Sequence, residues 1–192
     1  MVYVKHIGAP FILSCLVCIV LAACTTTSQF DKAYTAIAPG SLHGGQAIPA
    51  PKEPIILTVT GKIGAKNQGD QIVMDRPTLE AVGTAEYAIS DPFENRQIVY
   101  RGILMRDLLK LWQVDKNAQT LHLVAINDYT IDVPVQEMQE YPVLFALQAD
   151  GQYMQPNYHG PAMLIYPLDS YKLDPVATMK KLIWQIKTID VQ

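Results

Sequence analysis

The sequence predicts an α+β domain, mixed β-sheets with short helices, on three observations. Ile55 to Ile63 (IILTVTGKI) is dense in β-branched residues and runs into Gly64, the pattern of a strand ending in a turn. Thr120 to Ile126 and Thr130 to Val135 flank Asn127-Asp128-Tyr129, a strand, turn, strand pattern in which Asn and Asp tolerate left-handed backbone. Helical and extended patterns then mix irregularly, without the βαβ rhythm of a doubly wound sheet.

The remaining elements follow in chain order. Met74 to Val82 carries Pro77 near a helix start, with Leu79 and Val82 three apart, which suits a short helix. Gln97 to Tyr100 reads as a strand interrupted at Gly102. Ile103 to Trp112 places Ile103, Leu104, Leu108, Leu111 and Trp112 near one helical face, with Arg106, Asp107 and Lys110 away from it. Gln136 to Tyr141 is a short helix or turn, Val143 to Gln148 a strand, and Ala162 to Tyr166 an apolar strand before Pro167. Lys181 to Val191 alternates as a final strand.

The N-terminus has the parts of an export signal: Lys5 and His6, an apolar run from Ile7 to about Leu21, and small residues before a cysteine. The run is shorter than the ~20 residues that span a bilayer and starts with Gly8 and Pro10, which favours a cleaved segment. Leu21-Ala22-Ala23-Cys24 resembles the lipobox of bacterial lipoproteins. That resemblance implies cleavage before Cys24, attachment of a diacylglycerol to the Cys24 thiol and acylation of the new N-terminus with a fatty acid such as palmitate, a lipid-bilayer anchor. Several acyl chains, at about 0.8 kcal/mol per buried methylene, hold where one would be marginal. Thr25, where retained lipoproteins of Gram-negative type carry Asp, implies the outer membrane, with the protein facing the periplasm of the cell envelope. Residues 1–23 are then the signal peptide, 24–53 a lipidated, Pro- and Gly-broken flexible tether, and 54–192 a single domain of roughly 140 residues. No internal repeat is evident.

Processing removes Cys15 and Cys18, so one mature chain cannot form a disulfide. Without Lys5, 14 basic residues face 18 acidic ones, a net charge of −4, and no basic patch points to nucleic acid. There is no cluster at metal-ligand spacing, no Gly-rich phosphate loop and no nucleophile elbow around Ser90 or Ser170.

Four segments in order carry a further resemblance: LTVTGKI, YRGILMRDLLKLW, LHLVAINDYTIDVP, and HGPAMLIYP followed by Lys180, Lys181 and IWQIKTI. Together they resemble the molybdopterin-binding domain of the sulfite oxidase family, especially its small bacterial single-domain relatives. The resemblance implies a sulfite-oxidase-type fold and, in catalytic members, a cysteine thiolate that binds molybdenum from the loop before the Gly-apolar helix. Here that loop is expected within Thr84 to Tyr100, which has no cysteine; oxygen from Ser90 or Glu86 would have to replace it. Phe93 or Tyr100 could fill the pocket instead.

Candidate ligand-binding residues are few. Arg101 and Arg106 bracket the expected helix start, where an anion such as a pterin phosphate would sit, Arg101 being nearer the end. The resemblance implies basic residues near the last strands, where Lys172, Lys180 and Lys181 lie beside Tyr171. Asp128 and Tyr129 match the family turn, and His159 sits in a turn-rich entry to a buried strand. His43 reads as a solvated linker residue and His122 as a strand residue.

Three functions remain open: a non-catalytic ligand-binding or sensory module engaging a small ligand or a membrane signalling protein; a molybdopterin-dependent oxidoreductase with non-cysteine ligation and a redox partner; and an envelope structural or assembly lipoprotein. The cofactor is unknown, molybdopterin being implied by resemblance alone.

Overall fold

Sequence-adjacent hairpins assemble into two sheets in a computed structural model that describes residues 1–3 and 28–192. The expected export signal and Cys24 lie outside the described residues. α1 (Gln29–Lys32) starts at the N-cap Ser28, whose side chain accepts a hydrogen bond from the Asp31 N–H. β1 (Thr35–Ala38) follows, then β2 (Leu57–Gly61), β3 (Ile72–Met74) and α2 (Arg76–Glu80). β4 (Thr84–Asp91) and β5 (Arg96–Leu104) form a hairpin that leads directly into α3 (Met105–Leu111). β6 (Thr120–Ala125), β7 (Thr130–Pro134), α4 (Glu137–Glu140), β8 (Leu144–Ala149), β9 (Gln152–Tyr153), β10 (Met163–Ile165), α5 (Pro175–Met179) and β11 (Ile186–Val191) complete the described chain.

One sheet has six strands in the order β1-β4-β5-β8-β10, with β9 added to β8; the other has five in the order β3-β2-β11-β6-β7. Every pairing is antiparallel except β11 with β2, which brings the end of the chain beside the start of the domain. Alternation explains the burial: Leu57 and Val59, Leu121 and Leu123, and Ile186 and Ile189 are buried in the second sheet, while Ala85, Tyr87 and Ile89 turn inward in the first. Trp112, at the end of α3, is fully buried and donates its indole N–H to the Met74 sulfur at 3.4 Å. Among the described residues no helix is long and apolar enough to cross a membrane.

Several expectations change. The region 84–100 is no loop: β4 and β5 pair from Ala85–Gly102 to Asp91–Arg96. Gly102 lies within β5, at a register shift against β8, where a Cβ would stand 2.1 Å from the Phe145 carbonyl oxygen. Backbone proximity, not a strand end, requires glycine there. Ile103 and Leu104 belong to this strand, so the helix starts only at Met105; a continuous apolar run satisfies either period. The last strand is shorter than expected because Gln185 adopts φ +58°, leaving Trp184 in an isolated bridge to Met163.

The stretch read as a flexible tether is packed from Ser28 onward. β1 pairs with β4, and Phe30, Leu42 and Ile48 are buried in the core. Asp75 clamps the far end of this stretch: its carboxylate accepts hydrogen bonds from the N–H groups of Lys52 (2.6 Å), Glu53 (3.0 Å) and Thr78 (3.0 Å). Burial would raise its pKa, but the bonds from Thr78, Lys52 and Glu53 prevail and hold it down at about 2.

Candidate functional site

Where the two hairpin turns and the segment after α5 meet, a cavity of about 270 Å³ opens to solvent. Its walls come from three places: Phe93 in the β4–β5 turn, Ala125, Asn127 and Tyr129 at the β6–β7 turn, and Met179 at the end of α5 with Lys180, Leu182, Ile183 and Trp184 after it.

Each wall has a local cause. Asp91, buried at the end of β4, accepts hydrogen bonds at 2.9 Å from the N–H groups of Phe93 and Glu94, while its other oxygen accepts the Tyr100 hydroxyl at 2.8 Å. This carboxylate shapes the turn that presents Phe93. Burial, and then the hydrogen bond to Asp91, pushes the Tyr100 hydroxyl pKa well up, which keeps it a neutral donor. At the second turn Asp128 has φ +64° and donates its N–H to the Ala125 carbonyl, while Asn127 Oδ1 accepts the Tyr129 N–H.

Trp184 forms the third wall inside an aromatic series. The Phe93 ring meets it edge to face at 5.1 Å and 89°, His159 stacks on it at 4.8 Å, and Tyr158 stacks on His159 at 4.6 Å. The His159 carbonyl accepts the Gln185 N–H at 3.1 Å, which ties this loop to the chain beside Trp184. His159 Nδ1 is buried and has no hydrogen-bond partner among the described residues.

The cavity is apolar with a donor-rich rim. Lys180 is the charged side chain among its lining residues, no carboxylate lines it, and Lys180 forms no ion pair among the described residues. Asp128, next to the rim, is drawn off by Lys187 at 2.7 Å, and this bond lowers its pKa.

Of the residues expected from sequence, Tyr129 and Lys180 line the cavity, and His159 backs its Trp184 wall. Arg101 is placed otherwise: it lies in β5 rather than at a helix start, and its guanidinium holds Glu86 across the hairpin at 2.7 and 2.9 Å. Lys181 is bound to Glu137, which also accepts the Tyr166 hydroxyl at 2.6 Å. Lys172 is exposed and off the cavity lining, and Asp128 serves its own turn and Lys187. Asn127 and Trp184 are not expected from sequence as ligand-facing residues, and Phe93 is expected there only as a side chain that could fill the pocket; the sequence pattern gives Trp184 as one position of an alternating strand.

The residues present do not fit a pterin-bound molybdenum. The sequence has cysteine only at 15, 18 and 24, so residues 28–192 offer no thiolate. The two oxygen substitutes are engaged: Glu86 by Arg101, and Ser90 by Asp169, whose carboxylate accepts the Ser90 N–H at 2.9 Å and hydroxyl at 3.1 Å. Among the described residues no group of three or more His, Cys, Asp or Glu could hold a metal ion.

Residues 89–172 match the family described as the oxidoreductase molybdopterin binding domain. That span runs from within β4 to Lys172, so it includes Phe93 and Tyr129 but not Lys180 or Trp184. Among solved structures, the crystal structure of the sulfane dehydrogenase SoxCD from Paracoccus pantotrophus is similar at a TM-score of 0.54 and 14% sequence identity, covering 76% of this chain and 40% of that one. No curated protein matches the sequence. The two-sheet fold with short helices is therefore the sulfite-oxidase-type molybdopterin-binding fold.

Proposed function

We propose that this chain is a lipid-anchored envelope protein in which a molybdopterin-binding-type fold acts as a non-catalytic ligand-binding or sensory module. One contrast carries the reading: the groups that could replace a metal-ligating thiolate are engaged, Ser90 by Asp169 and Glu86 by Arg101, while the Phe93–Trp184 cavity keeps a cation and an open mouth. Buried or clamped polar groups stabilise a fold, whereas free donors beside an apolar recess suit a ligand.

Acylation of Cys24, with the protein facing the periplasm from the outer membrane, completes the proposal. Since packing begins at Ser28, the four residue steps from Cys24 to Ser28 reach about 14 Å at most. The body would sit close to the bilayer, where it could meet a membrane signalling or redox protein. The Cys24→Ala variant is expected to lose incorporation of labelled palmitate and to leave the membrane fraction; retained label would contradict the anchor.

The non-catalytic reading is tested by producing the full chain in a molybdenum-replete, cofactor-competent host and measuring metal content and released pterin fluorescence. Neither should be found. Stoichiometric molybdenum would overturn the reading and return the chain to the oxidoreductases.

A further inference from the structure

The geometry points to a specific ligand class for the Phe93–Trp184 cavity: we infer that it binds a small monoanionic carboxylate carried on a single aromatic ring. The inference rests on the non-catalytic reading above and adds to it the chemistry of the ligand.

Size sets the first limit. At about 270 Å³ the cavity lies just below the roughly 300–1,000 Å³ of drug-sized ligand sites, so one ring with a short side chain fits its scale. The walls set the second. Phe93 and Trp184, whose rings meet edge to face at 89°, give the cavity an aromatic wall against which a further ring can pack, His159 already covering one face of Trp184; Met179 supplies a soft, adaptable contact beside it.

Charge sets the third. The rim brings Lys180 and the Asn127 side chain, and no lining carboxylate opposes an anion. Asn127 uses its oxygen on the Tyr129 N–H, and its amide N–H₂ has no partner among the described residues. One ammonium with one amide donor matches a carboxylate. A phosphate dianion would call for the bidentate arginine that this rim lacks. Tyr129, half exposed at the mouth, is placed to cover a bound ring.

Calorimetric titration of the full, metal-free chain in detergent tests this with phenylacetate, its neutral isostere phenylacetamide, and acetate. Phenylacetate should bind at least about tenfold more tightly than phenylacetamide, and acetate should not bind at millimolar concentration. Lys180→Met, at an exposed position, should bring phenylacetate to the affinity of the amide and leave the amide unchanged. Equal affinity for acid and amide, or no heat from phenylacetate at millimolar concentration, would overturn the inference. Those failures would leave a molybdenum-free chain, and with it the non-catalytic reading, intact; molybdenum in the same preparation would remove that reading itself.

Discussion

The β4–β5 hairpin holds two regions that differ in how their polar groups are satisfied. At Ser90 and Glu86 every candidate donor or ligand is answered from within the chain, by Asp169 and Arg101. A few residues on, at Phe93, the same hairpin borders an apolar recess whose cation and amide have no partner among the described residues. In one fold, then, the two side chains expected as substitute metal ligands are engaged by hydrogen bonds, and a different rim is left available. Fold and function separate at the level of individual side chains.

The first way to break the comparison is to unseat the hairpin. Gly102→Val should cost about 3 kcal/mol or more, because a side chain would collide with the Phe145 backbone and both regions would move together. Urea melts measure this; a loss under 1 kcal/mol would mean that the strand can yield locally.

Next in size is the Asp75 clamp, which holds the packed N-terminal stretch independently of both regions. Its folded pKa of about 2 lies below the ordinary 3.8. The carboxylate therefore stabilises the fold fully above about pH 4, and that contribution fades as pH falls toward 2. The difference corresponds to about 2 kcal/mol. Asp75→Asn should lose a similar amount at neutral pH and show a flatter acid profile between pH 4 and 2. An unchanged profile would remove Asp75 from the account.

Ser90→Cys sharpens the contrast directly. It places a thiol within β4, yet Asp169 remains over it, so the variant should stay free of molybdenum with stability changed by less than about 1 kcal/mol. Molybdenum uptake would show that the absent sulfur, not the closed arrangement, keeps the metal away. The smallest stability effect belongs to Lys180→Met, within about 0.5 kcal/mol of wild type in the same melts, because the side chain is exposed and forms no ion pair among the described residues.

Much of the architecture was legible because it is locally encoded. The Asn127-Asp128 turn, the strands around it, β8, β10 and the short α4 follow from turn chemistry and period. β1 was not, since Thr35 to Ala38 is exposed throughout and offers no alternation to read. β4 does alternate, with Ala85, Tyr87, Ile89 and Asp91 buried, but an aspartate at an inward position masks the pattern until its bonds to Phe93, Glu94 and Tyr100 are known. The expected loop there came from the family resemblance and gave way to this pairing.

The cavity shows the sharper limit. Tyr129 and Lys180 could be named from sequence because they lie beside a turn and a basic stretch. Phe93 and Trp184 meet only through tertiary packing, and no period relates them. Conversely, Arg101, Lys181 and Asp128 have the residue types of ligand contacts but are taken by Glu86, Glu137 and Lys187, partners that sequence alone does not assign.

The contrast between the closed and open regions is tested most directly by mapping backbone and indole nitrogen–proton shifts while phenylacetate is added to the full chain. The account predicts changes confined to Phe93, Asn127 to Tyr129, and Met179 to Trp184, with Ser90, Glu86 and Asp169 still. Shifts centred on Ser90 and Asp169, or the absence of any shift, would contradict it.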